Sequence, residues 1–354
     1  MPDPTVSVVM VTCNVERFLA EAIESVLMQS FTDFEFIILD FGSSDNSKTI
    51  VLSYAAKDDR IRFCEIPPCF LPKARNAACS LARGRHIAIM DADDASVPER
   101  LAWQVEFMEK HPEVSVLGGA VDLIDANGRV FATWANPAND ADIRSALRER
   151  CPLWQPTVML RRESFFRVGG YRPFPAEDYD LWLRMSEKFQ LANLQQVLLR
   201  YRVHPYQNSI RKRTRQTMGC LAARISSEAR RNGHPDPLDS VGELTPELLT
   251  QWGMTEEVQQ IAFAQAYLQW IQNLCLAGDR HGALNAAVEM LQSSSWEYAG
   301  KAVAEIRLLM AGIYWQRREL VKSAMAAGRA IQTRPVVIGR PLKPFLRWVG
   351  LARA

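Results

Sequence analysis

Short apolar runs alternate with amphipathic stretches over the first hundred residues. The run "TVSVVMVT" is β-branched and apolar nearly throughout, and "ERFLAEAIESVLMQS" after it sets Phe18, Leu19, Ala22, Ile23, Val26 and Leu27 at helical spacing. The same strand-then-helix unit recurs as "FEFIIL" with "SKTIVLSYAAK", "IRFCEI" with "LPKARNAACSLARG", and "HIAIM" with "VPERLAWQVEFMEKH". Strands this apolar, each followed by a helix, predict an α/β fold whose mostly parallel sheet is covered on both faces. Ligands of such sheets bind at the carboxyl ends of the strands, so the polar residues there come first in any search for chemistry.

After about residue 114 the alternation fades into "VSVLGGAVDLIDANGRVFATW", a predicted hairpin around Ala126-Asn127-Gly128, and "EDYDLWLRMSEKF" resumes helical periodicity through Leu181, Met185 and Phe189. A first domain is expected over residues 1–215, a basic helix and linker over 216–250, and an all-α region over 251–354. The basic helix carries Met218, Leu221 and Ile225 on one face and stops at Gly233 and Pro235. Thr245 before Pro246, and Thr255 before two acids, read as helix N-caps. "LCLAGDRHGALNAAVEML" and "RRELVKSAMAAGRAI" share a helix, turn, small-residue helix pattern at an interval near 40 residues. That suggests tetratricopeptide-like hairpins, whose usual interval is about 34.

Composition narrows the picture. With 354 residues and 48% hydrophobic positions, the chain has room for more than one core, and a formal net charge of +2 gives no global pull toward nucleic acid. The seven cysteines (Cys13, Cys64, Cys69, Cys79, Cys151, Cys220, Cys275) form no CxxC pair and read as reduced thiols, not as a disulfide framework or zinc site. The first residues lack a basic region and cleavage signal, and no run of about 18 apolar residues occurs, so a cytoplasmic chain is expected. At the C-terminus, "GRPLKPFLRWVGLARA" mixes Lys343, Arg347 and Arg353 with Phe345, Leu346, Trp348 and Leu351. Such a stretch suits peripheral contact with an anionic membrane, or packing on the tail's own helices. For the helical tail itself, bracing the first domain, docking a protein partner and self-association are the readings.

The polar strand ends are, in order, Thr12 and Asn14, then Asp40 through Asp45 in "DFGSSDNS", then Asp91, Asp93 and Asp94 in "DADD". Three carboxylates in four positions repel one another and are costly to desolvate, so something positive belongs among them. Oxygen-only ligands suit a hard divalent ion, Mn2+ or Mg2+, that keeps positions open for phosphate oxygens.

Taken together, "VSVVMVTCN", "IILDFGSSDNS", "KARNAACSLARGRHIAIMDADD", "GGYRPFPAEDYDLWLR" and "YRVHP" resemble, in order and spacing, the family 2 glycosyltransferases of the GT-A fold, a Rossmann-like sheet flanked by helices. The resemblance spans roughly residues 4–210 and leaves the helical tail outside. It implies an inverting enzyme moving a sugar from a nucleoside diphosphate donor, UDP first among them, to a saccharide or lipid-linked acceptor in polysaccharide or glycoconjugate synthesis. Thr12 and Asp40 match positions at the nucleotide base; Arg75 and Asp91 match donor positions, with base, ribose and phosphate all open as the target of Arg75. Asp93 matches the metal ligand, His204 a position at the metal or diphosphate, and Asp178 the catalytic base. Bland readings stand beside these: an Asx-turn for Asp40, a helix cap for Asp45, a surface arginine for Arg75, and helix-start acids for Glu177 and Asp178. Phe41 and Cys13 depart from the family pattern, where a second acid and an aromatic are common. A degenerate domain working as a scaffold through its tail is the competing reading. A nucleotidyltransferase is disfavoured because "VTCNVERF" has no Gly-rich phosphate loop.

Overall fold

The computed structural model describes residues 3–204, 213–293 and 296–334. The predicted strand-helix units are present: β1 (Val6–Thr12), α1 (Glu16–Leu27), β2 (Phe34–Asp40), α2 (Ser47–Ala55), β3 (Ile61–Glu65), α3 (Leu71–Ser80) and β4 (His86–Asp91). They build a parallel block ordered β3-β2-β1-β4. Every residue of β2 is buried, as a strand sandwiched between two layers requires. The charge of Glu35 inside it is matched by Ser7, Arg62 and Arg83, which donate to its two oxygens.

Beyond β4 the expected helix-flanked sheet continues with antiparallel joints among its strands, which makes it mixed. β5 (Ala95–Ser96), α4 (Arg100–Lys110), β6 (Val114–Ile124), β7 (Val130–Trp134), α5 (Asp140–Leu147), β8 (Met159–Arg161), α6 (Arg162–Arg167), α7 (Glu177–Ser186) and β9 (Gln190–Arg202) follow. β8 runs antiparallel to both β4 and β6, β9 parallel to β6, β5 antiparallel to β9, and β7 folds back on β6. The β6–β7 turn is the predicted hairpin, with Gly128 at φ +83° and Asp125 accepting from Asn127 N–H at 2.8 Å. A reversal this short needs no crossover helix, which is why parallel pairing is lost here.

Register brings the polar strand ends together. Thr12 pairs with Asp40 across β1 and β2, and Val11 with Asp91 across β1 and β4. Beneath that edge the fully buried Arg100 donates to the Ile89 carbonyl at 2.8 Å, while Gln104 on the next turn bonds the Thr157 carbonyl at 2.8 Å.

The chain divides into two compact units, residues 1–202 with 222–242, and residues 203–221 with 243–354. The helix Arg213–Arg231 contributes its second half to the first unit, where Arg230 pairs with Glu187 and, together with Arg172, with Asp236. Buried Met218 and Leu221, and half-buried Ile225, form the apolar face read from the sequence.

In the second unit the helices Pro246–Gln251 and Glu256–Leu276 start at side-chain caps from Thr245 and Thr255, as expected. Two helical hairpins follow at an offset of 40 residues: the second helices begin at Arg280 and Leu320, after left-handed residues Gly278 (φ +83°) and Arg318 (φ +61°). Asp279 N–H bonds the Leu274 carbonyl and Glu319 N–H the Tyr314 carbonyl, both at 2.9 Å. Glycine is free in this conformation and arginine is strained. Arg318→Gly should therefore raise stability by about 1 kcal/mol, read as a higher thermal midpoint; an unchanged midpoint would mean the turn carries no strain.

All seven cysteines are free thiols. Among the described residues no helix is long and apolar enough to cross a membrane. The C-terminal stretch expected to suit a membrane surface lies outside the described residues.

Candidate active site

At the ends of β1 and β2, Thr12 and Asp40 are both buried and bonded to each other, Thr12 Oγ1 donating to Asp40 Oδ2 at 3.0 Å. The Ser43 hydroxyl donates to the same oxygen, and the N–H groups of Gly42 and Ser43 donate to Oδ1 at 3.0 and 2.9 Å. A carboxylate offers about four acceptor positions, and all are taken. Asp40 thus anchors its own loop. That loop passes so close to Pro68 that a Cβ on Gly42 (φ +103°) would lie 2.5 Å from Pro68 Cγ. Asp45 accepts from Glu16 N–H and from Ser47 N–H, each at 3.0 Å, tying together the starts of α1 and α2.

The positive charge demanded by the acidic edge is supplied by the chain itself. Arg75, on the buried face of α3, pairs through Nη2 with Asp91 Oδ1 at 3.0 Å and through Nη1 with Glu177 Oε1. Burial pushes the Asp91 carboxyl up, the Arg75 charge opposes this, and the Asp93 charge adds to it. Glu177 is pushed up to about 7 by burial, against the pull of Arg75 and with the help of the Asp178 charge. Asp178 is also raised, by burial against the Arg75 charge, and accepts from Tyr179 N–H at 2.8 Å. Glu177 is buried and engaged, whereas Asp178 is half-buried and the more open of the two. Asp94 points elsewhere: it is buried and accepts from Arg202 N–H at 2.8 Å.

Local backbone sets the direction of α7. Asn76, next to Arg75, clips the loop before it by donating to the Tyr171 carbonyl at 2.7 Å and accepting from Tyr171 N–H at 2.9 Å. Gly170 (φ +68°) must lack a side chain there, since a Cβ would lie 2.6 Å from Asn76 Oδ1. Ala176 then takes a left-handed conformation (φ 56°), uncommon for a residue with a side chain, directly before the acid pair. Asp180, the third acid of α7, is held by Arg172 and Arg184.

The structure thus brings Thr12 to Asp40, and Arg75 to Asp91 beside Asp178. Asp93 lies at the same edge, close enough for its charge to act on Asp91 and Asp94. His204 is buried two residues past β9 and belongs to the second unit. Sequence reasoning missed Asn76 and Arg202, whose only signal was their place inside the quoted motifs. Among the described residues no three His, Cys, Asp or Glu side chains are arranged to hold an ion unaided. The exposed part of the donor set is carboxylate oxygen. That fits Mg2+ or Mn2+, which take one or two carboxylates and complete their shell with phosphates.

The chain resembles known glycosyltransferases in sequence and solved transferase structures in fold. The family described as Glycosyl transferase family 2 matches residues 7–169. EpsE of Bacillus subtilis, named as a glycosyltransferase, is 35% identical over 222 residues, 60% of this chain and 77% of that protein. The O-antigen biosynthesis glycosyltransferase WbnJ of Escherichia coli is 31% identical over 204 residues, 56% of this chain and 80% of its own. Among solved structures, S. aureus TarS 1-349 in complex with UDP-GlcNAc aligns with a TM-score of 0.53 at 16% identity, over 93% of this chain and 92% of that one. The mannosyltransferase PcManGT of Pyrobaculum calidifontis, in complex with GDP-Man and Mn2+, aligns with a TM-score of 0.50 at 17% identity, over 93% and 87%. At such identities the structural likeness shows a shared fold.

Proposed function

The chain belongs to the family 2 glycosyltransferases, and from that premise we propose that it moves a sugar from a nucleoside diphosphate, UDP by preference, to a hydroxyl of a saccharide or lipid-linked acceptor with inversion. The observation that carries the reading is the Arg75 bridge, whose guanidinium pairs with Asp91 at the strand edge and with Glu177, the neighbour of Asp178. In this reading donor and acceptor chemistry are adjacent.

Thr12 and Asp40 are proposed at the base, Arg75 and Asp91 on the donor, and Asp93 on a divalent ion, Mn2+ or Mg2+. When bound, such an ion neutralises charge growing on the leaving diphosphate. Asp178 takes the acceptor hydroxyl's proton as that oxygen attacks the anomeric carbon from the face opposite the diphosphate; the new carbon–oxygen bond forms as the bond to the phosphate oxygen breaks, which inverts the carbon as in inverting glycosidases. The UDP-GlcNAc complex of TarS and the GDP-Man and Mn2+ complex of PcManGT support a nucleotide-sugar donor and a metal. The name of WbnJ supports a place in surface polysaccharide synthesis, for which the inner face of the membrane is the proposed location.

Calorimetric titration of UDP, GDP and dTDP, with and without Mn2+, tests this. One nucleotide should bind in a Mn2+-dependent manner, and Asp93→Ala should weaken it at least about tenfold. No binding by any nucleotide in folded protein would sink the donor site and leave the scaffold reading.

A further inference from the structure

Arg202 ends β9, and its side chain is 2% exposed. Its backbone N–H donates to Asp94 Oδ1 at 2.8 Å, and its Nε donates to the carbonyl of Asp93 at 2.9 Å. Nη1 reaches the Asp125 carbonyl at 3.4 Å, Nη2 pairs with Glu21 Oε2 at 2.5 Å, and the guanidinium lies over the Phe18 ring, 4.7 Å from its centroid. Two of these contacts fall on consecutive residues of the acidic loop, one on the main chain and one on a carboxyl group. The other three tie that grip to α1 and to the β6–β7 hairpin. A guanidinium suits this task because its donors diverge in fixed directions from a plane, whereas a lysine offers one compact charge.

We propose that Arg202 is the positioning residue for Asp93: it fixes the main chain from which that carboxylate projects, so the metal and diphosphate meet a preset ligand. This rests on the donor-site reading in taking Asp93 as the metal ligand. Groups that orient a metal ligand typically contribute about 10–100-fold to affinity. The bland alternative is that Arg202 only packs α1 against the end of β9, through Glu21 and Phe18.

Variants at three positions separate the two, with Mn2+ affinity read by electron paramagnetic resonance in the presence of UDP and with donor kinetics beside it. Arg202→Lys should weaken Mn2+ binding about tenfold and raise the donor KM, with kcat at saturation nearly unchanged. Glu21→Gln, which removes only the outer ion pair, should leave Mn2+ affinity at the wild-type value. Asp94→Ala, which frees the loop from the Arg202 main chain, should also weaken Mn2+ binding and Asp94→Asn, which keeps an acceptor for that N–H, should restore it; where Arg202→Lys fails to fold, Arg202→Gln, which keeps a side-chain donor toward the Asp93 carbonyl, takes its place. Wild-type Mn2+ affinity in a folded Arg202 variant, whatever Asp94→Ala does, overturns the positioning role alone. Absence of Mn2+ binding in the wild-type protein overturns the donor-site reading and this proposal with it.

Discussion

Replacing Asp178 with asparagine should lower kcat by about 10³-fold, within the range general-base catalysis supplies, while UDP affinity stays near the wild-type value. Asp178 lies in the first turn of α7, where the helix dipole favours a carboxylate, and Tyr179 N–H at 2.8 Å holds one oxygen. The other oxygen is the candidate proton acceptor. Asparagine keeps the size and the Tyr179 bond but takes no proton, so chemistry is lost without the donor. Burial holds the Asp178 carboxyl above the ordinary aspartate range, against the Arg75 charge. Since the base must be ionised, kcat/KM should fall as pH drops through that raised value, giving an acid limb above the usual aspartate range. Sugar transfer measured across pH, with calorimetry on the same variant, checks both. A variant that retains a tenth or more of wild-type kcat would move the base elsewhere, with Glu177→Gln the next substitution to make.

How far the sequence reached depends on whether a signal is local. The strands β1 to β4 and the acids at their ends were legible because an apolar run broken by polar residues is contained within one short window. β5, with two residues, and β8, with three, are too short to show any period, so the antiparallel joints through them could not be read. The roles of neighbouring acids were equally hidden. Glu177 and Asp178 look alike in "AEDYD", and what separates them is Arg75, about a hundred positions earlier, which pairs with Glu177 and leaves Asp178 the more open. Asp40 was legible as a strand-end acid, but its saturation by Thr12, Gly42 and Ser43 needed the register of β1 on β2. In the tail, the 40-residue offset was visible in the small residues, whereas the helix Arg213–Arg231 changes unit at Ala222 with no break in its periodicity.

Arg75→Met tests the bridge on which the site reading depends. One nearly buried guanidinium pairs with Asp91 and Glu177, and removing it leaves both carboxyls without their counter-charge. Breaking a buried pair from one side costs about 3–5 kcal/mol. The loss should depend on pH in a defined direction. The folded pKa of Glu177, about 7, already lies above its unfolded value of 4.5, so its contribution to stability is present below about 4.5 and lost as pH rises through about 7. Without Arg75 that pKa rises further, so the deficit against wild type should be small at pH 5 and large at pH 8, read from thermal midpoints. The acid limb of kcat/KM should move up as well, because the Arg75 charge also lowers the Asp178 pKa. The double variant Arg75→Met/Glu177→Gln removes both ends of the inner pair, and most of the lost stability should return. Its UDP affinity then decides what Arg75 is for. If binding stays weak in a restored fold, the guanidinium contacts the donor. If binding returns with stability, Arg75 serves only to balance the acids, and the donor site must be built from Thr12, Asp40, Asp91 and Asp93.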